Sequence, residues 1–232
     1  MHFGSSMFAN RKLALFTTCA ALLVTLSASA ALFFVYPPSS YPLLKPYSQH
    51  AADWWKWALT QPVATSPLLD TTGAQCNAGQ PRLGAFYLAG ALDSTPVLRT
   101  CTVPAARTLV FPVINAAYFA FASDPAEQKT EAFLRSQVSF VEQATALEVE
   151  IDGVAVPNVA RFLERSVLFS VTLPADNVFE LPAGFVLSPS VDSGYYLAVA
   201  PLIPGHHTLH FHGALPDGST QDVTYDLNVR AF

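Results

Sequence analysis

Charge is what this sequence has least of. Only 12% of its 232 residues are Asp, Glu, Lys or Arg, about half the roughly 25% of an ordinary soluble domain, while 51% are hydrophobic. A disordered chain combines low hydrophobicity with high net charge, so disorder is excluded. A long coiled coil needs abundant Glu, Lys and Arg flanking its seam, and that is excluded too. Binding to a phosphate backbone needs a basic surplus, whereas 12 basic residues here face 17 acidic ones, so nucleic acid is not an expected partner. Catalytic signatures are also missing: the chain has no G-x-S-x-G, H-E-x-x-H, P-loop or G-x-G-x-x-G,. What remains is a compact apolar globular protein or a membrane protein.

The N-terminus decides between these. Arg11 and Lys12 precede an apolar stretch from Leu13 to Leu26, and Ser27-Ala28-Ser29-Ala30 follows. A positive n-region, an apolar h-region and an A-x-A pattern predict a signal peptide over residues 1–30, cleaved after Ala30. The competing reading is an uncleaved anchor, because Leu13 to Tyr36 carries no charge and is long enough to span a bilayer,. Either reading places the domain in the cell envelope or outside the cell, with membrane contact only through that N-terminal segment. Loss of Arg11 and Lys12 leaves ten basic against 17 acidic residues, a balance of −7, which disfavours anionic partners.

Cysteine is scarce as well. Cys19 lies in the signal segment, leaving Cys76 and Cys101 as an even pair. In an oxidising compartment such a pair predicts a disulfide, and one closing a loop of this size stabilises by about 3 kcal/mol in the chain-entropy model. A redox pair or two metal thiolates is the alternative, and no C-x-x-C spacing supports it.

Pro37, Pro38, Pro42 and Pro46 make residues 31–46 read as an extended tether, with a single domain over 47–232. Ser48 or His50 opens a short helix through Trp54, Trp55 and Trp57 to Leu59. Apolar runs at Gly84–Ala89, Val97–Val103 and Leu109–Ile114 suit buried strands. Ser123-Asp124-Pro125 predicts a helix start, with the helix running to about Val141. The last third changes to alternation: Leu147, Val149 and Ile151; Val167 to Leu173; Leu209 and Phe211; Val223 to Val229. Polar residues occupy the intervening positions, the pattern of half-buried strands with one wet face. Tyr195 to Ala200 is more continuously apolar and reads as a central strand. Eight or so strands and two helices, one Trp-rich near the N-terminus and one between the strand groups, predict a mainly β fold: an antiparallel β-sandwich, Ig-like or jelly-roll-like.

Several strings together resemble a family of exported, mostly bacterial proteins of unknown function. They are Trp54-Trp55-Lys56-Trp57, Asp70-Thr71-Thr72-Gly73 with Cys76, Leu88-Ala89-Gly90, Arg99-Thr100-Cys101-Thr102-Val103-Pro104 and Phe111-Pro112-Val113-Ile114-Asn115. Ile151-Asp152-Gly153-Val154 and the segment from Pro204 to Phe211 belong to the same likeness. The resemblance implies an intact exported domain and carries no activity or catalytic residue with it.

Three constellations could carry chemistry. The first is the histidine cluster His206, His207, His210 and His212. Leu209 and Phe211 set the core face, so His207 points inward and the other three outward. An antiparallel register pairing like faces sets His212 opposite Asp222 and His210 opposite Thr224. His210, His212 and Asp222, with His206 as a fourth ligand, are the residue types of a Zn²⁺ or Cu²⁺ site; the bland alternative is the wet face of a surface hairpin. The second is the Trp trio, Trp54, Trp55 and Trp57: exposed rings would stack on sugars, making a carbohydrate-binding module, while buried rings would plug the sandwich. The third is the acidic strand face of Glu148, Glu150 and Asp152, either a carboxylate pair for glycoside chemistry or a solvated face. The sequence thus leans to an exported, non-catalytic binding or structural module without a cofactor, with metal binding as the alternative.

Overall fold

The computed structural model describes residues 33–231. The signal segment, its cleavage point and Cys19 lie outside the described residues. Among the described residues no helix is long and apolar enough to cross a membrane.

The fold is mainly β, a sandwich of two five-stranded sheets with two α-helices. The first sheet contains β1 (Ala85–Tyr87), β3 (Thr108–Phe119), β6 (Leu163–Arg165), β7 (Phe169–Thr172) and β8 (Val186–Val199). The second contains β2 (Val97–Pro104), β4 (Ala146–Ile151), β5 (Val154–Ala155), β9 (Gly205–Ala214) and β10 (Thr220–Arg230), ordered β2-β10-β9-β4-β5. Their inner faces meet where Phe111 stacks on Phe211, ring centroids 5.0 Å apart. Gly213 is required there, because a Cβ would collide with Ile114. In β8 every residue from Ser190 to Val199 is buried, and the strand is central, flanked by β3 on one side and by β6 and β7 on the other. Helix α1 (Tyr47–Leu59) packs on the first sheet against β3, β6, β7 and β8. Helix α2 (Glu131–Val138) sets Leu134 and Val138 on Ala120 and Val191.

The sheets are mixed rather than purely antiparallel. β1 runs parallel to β3, and β2 runs parallel to β10 over eight residue pairs. The chain crosses from the first sheet to the second between β1 and β2, then back for β3, so these neighbours are not joined by hairpins. Side-chain alternation is the same in parallel and antiparallel strands, so the direction of pairing left no trace in the pattern.

The Pro-rich segment is no free tether. Tyr36 N donates to Ala198 O, Ala200 N donates to Phe34 O, and Val35 bridges Val199. Residues 33–36 thus extend the sheet beside β8 and are not part of a span, and Pro42 is buried. The backbone groups of β8 beyond β6 need partners, and this segment supplies them.

Both helices start elsewhere than expected. α1 begins at Tyr47, before Ser48, because the Tyr47 ring is buried and its hydroxyl donates to Tyr36 O while accepting from Ala198 N. The segment after Pro125 forms a 3₁₀ turn over Ala126–Lys129. α2 is instead capped by Thr130, whose hydroxyl accepts from Phe133 N, the usual cap chemistry. A second 3₁₀ turn, Ser139–Gln143, follows it.

Candidate functional site

The β9–β10 hairpin turns at Asp217-Gly218, where Asp217 Oδ1 accepts from Ser219 N and Gly218 takes φ +89°. That turn fixes the register. His212 lies opposite Asp222, and His210 opposite Thr224. β4 flanks the other side, placing Glu148 beside His212 and Glu150 beside His210. Leu209 and Phe211 point into the core, and so does His207. Its Nδ1 lies 2.6 Å from Asp152 Oδ2 and its Nε2 2.9 Å from Ile203 O. The other Asp152 oxygen accepts from Thr208 N, so Asp152 fixes the start of β9 and does not join an open carboxylate pair. Glu148 and Glu150 are exposed and solvated.

Of the four expected metal ligands, three come together. Asp222 reaches His210 Nε2 at 3.0 Å and His212 Nδ1 at 3.6 Å. His206 does not join them. It is four residues from His210 along an extended strand, about 13 Å of rise, and it pairs with Asp226. Among the described residues no group of three or more His, Cys, Asp or Glu is arranged to hold a metal ion. The geometry is that of a half-exposed sheet face carrying His–Asp pairs.

Comparison with protein-family models, with curated proteins and with solved structures finds no match.

The Trp-rich helix faces inward. Trp54 is buried and donates its indole N–H to Leu88 O; Trp57 is buried and donates to Ala78 O. Trp55 is half-buried and donates to Asp192 Oδ2 at 2.7 Å. Every indole N–H has an internal acceptor, as buried Trp requires. Trp54 and Trp57 are core, and Trp55 packs half-buried against it, which is the plugging arrangement rather than a set of exposed rings.

The other quoted motifs also converge inside. Cys76 and Cys101 form a disulfide with Cα atoms 6.0 Å apart. Asp70 accepts from the N–H groups of Thr72, Gly73 and Gln75, and these bonds hold its carboxyl below the usual range against the opposing effect of burial. Gly73 sits at φ +89°, where a Cβ would strike Thr100 O, so only glycine lets this loop lie on β2. The loop positions Asp70 O to accept from Arg99 Nε at 2.7 Å. The fully buried Arg99 guanidinium donates further to Ala89 O, Gly90 O and the Tyr225 hydroxyl. Its partners among the described residues include no carboxylate. A fan of carbonyls satisfies this cation, which locks the disulfide loop, β2 and β10 together.

Asp192 is a residue that sequence reasoning missed. Asp192, in the middle of β8, has 0% exposure. Besides Trp55, Asn115 Nδ2 lies 3.3 Å from its Oδ2 and donates to Tyr196 Oη at 2.7 Å. Oδ1 has no partner. Burial pushes the carboxyl up to about 7, against the opposing hydrogen bonds from Trp55, Tyr196 and Asn115,. The available signal was a lone carboxylate inside the apolar run Ser190–Ala200.

Proposed function

We propose that the protein is an exported, non-catalytic binding module of the cell envelope or extracellular space, and that it meets its partner on the outer face of the second sheet. One observation carries this reading. The three tryptophans, one of the constellations that could carry chemistry, are bonded within the fold, as are Asp70 and Arg99 of the quoted motifs, whereas ionisable groups remain on the outer face of β4, β9 and β10. The Cys76–Cys101 bridge supports a non-cytoplasmic fold,, and the n-region, apolar stretch and A-x-A pattern support export.

The face suits a cationic partner. Glu148, Glu150, Asp222 and Asp226 lie on it, β4 and β9 carry no Lys or Arg, and β10 carries only Arg230 at its end. Such a field steers and retains positive ligands in a salt-dependent way. The test is calorimetric titration of the full chain with hexalysine and with hexaglutamate at low ionic strength. Hexalysine should bind and hexaglutamate should not, and Glu148→Gln with Glu150→Gln and Asp226→Asn should weaken the binding about tenfold. Equal behaviour of the two peptides, or no effect of the triple variant, would remove the face from consideration.

A further inference from the structure

A second site lies away from the polar face, between the turn before α1 and the turn before β1. It is a cavity of about 480 Å³, within the usual range for small-molecule sites. Leu43, Leu44, Pro81, Leu83 and Tyr87 give it apolar walls, and His50 of α1 also lines it. Leu44 is 94% exposed and Leu83 is 85% exposed. Leu43 and Leu44 occupy consecutive left-handed positions, φ 55° and 62°, a conformation that costs leucine free energy and here leaves Leu44 in water.

The chemistry of His50 selects the ligand. The imidazole is 1% exposed, and burial pushes its pKa down, favouring the neutral form. Its Nε2 lies 2.9 Å from Pro42 O. A carbonyl only accepts, so Nε2 carries the proton, and Nδ1 of the neutral ring is a lone pair. Nδ1 is buried without a partner. Among the described residues lining it the one cation, Lys45, is 2.8 Å from Asp53 and taken up by it. An apolar cavity with one unsatisfied acceptor fits an apolar molecule that brings one hydrogen-bond donor. An ionised carboxylate would set acceptor against acceptor.

We propose that this cavity binds an uncharged apolar alcohol, with its hydrocarbon between Leu44, Leu83 and Tyr87 and its hydroxyl donating to His50 Nδ1. Nδ1 is buried in the structure, so the bound state is one in which the Leu43–Leu44 turn has shifted to admit the hydroxyl. The site is independent of the polar face of the second sheet.

The experiment titrates the full chain, ¹⁵N-labelled in histidine, with 1-octanol and separately with octanoate at pH 7.5. 1-Octanol should bind saturably and move the His50 Nδ1 resonance; octanoate should leave it in place. Leu83→Glu alters an exposed position, so the fold should persist by circular dichroism while affinity for 1-octanol falls by about tenfold or more. The proposal is overturned if 1-octanol fails to bind, if it binds without moving Nδ1, if octanoate competes equally, or if Leu83→Glu leaves the affinity unchanged.

Discussion

Trp55 Nε1 donates to Asp192 Oδ2 across 2.7 Å, joining residues 137 positions apart. The contact ties α1 to the middle of β8 and places an ionisable group where water does not reach. A folded-state carboxyl raised to about 7 against an ordinary value of 3.8 binds its proton more tightly than the unfolded chain does. Its contribution to stability is therefore fully present below about pH 4 and is lost as pH rises from there through about 7, with a limiting slope of about 1.4 kcal/mol per pH unit. Asp192→Asn removes this dependence. Urea unfolding of both proteins from pH 4 to 9 should show wild type losing stability relative to the variant as pH rises, with the gap levelling off above about pH 8. A constant gap throughout would mean the carboxyl is not raised.

Arg99 should be the most sensitive of the motif residues. Arg99→Lys keeps the charge but cannot reproduce the fork that meets Asp70 O, Ala89 O, Gly90 O and Tyr225 Oη,. It should destabilise by at least about 3 kcal/mol in chemical denaturation, whereas Tyr225→Phe should cost about 1–2 kcal/mol.

Replacing both bridge cysteines, Cys76→Ala with Cys101→Ala, should lower stability by about 3 kcal/mol. Thermal unfolding with and without reductant checks this. Reductant should lower the midpoint of wild type and leave the double variant unmoved.

The outer histidines should matter little to the fold. His210→Ala with His212→Ala breaks half-buried, solvent-accessible pairs with Asp222, and pairs near the surface contribute roughly 0–1 kcal/mol. Protein purified without an affinity tag should hold less than about a tenth of an equivalent of Zn or Cu, since among the described residues no group of three or more His, Cys, Asp or Glu is arranged to hold a metal ion. A full equivalent, lost in the double variant, would favour the metal reading instead.

The alternating strands were the most legible part of the sequence. Leu209, Phe211, Val223 and Tyr225 are all buried, and the pairing of His212 with Asp222 follows from face and turn alone. Period-two patterning identifies a face but not a direction or a sheet partner, so the parallel neighbours β1–β3 and β2–β10 were not readable. The N-terminal segment misled because prolines mark extended backbone equally well in a tether and beside a sheet edge; only the backbone of β8 distinguishes them. Asp192 and His50 were hidden for a related reason. Their character comes from desolvation by residues far away in sequence, which no local window contains.

The central claim is that an exported domain carries its motifs as internal structure. Its most direct test is thiol alkylation of the full chain, expressed in a bacterial host and fractionated without reduction. The account predicts protein outside the cytoplasm with Cys76 and Cys101 protected from alkylation, and a chain lacking residues 1–30 retained inside with both reactive once unfolded. Full chain found in the cytoplasm with both thiols free would contradict it.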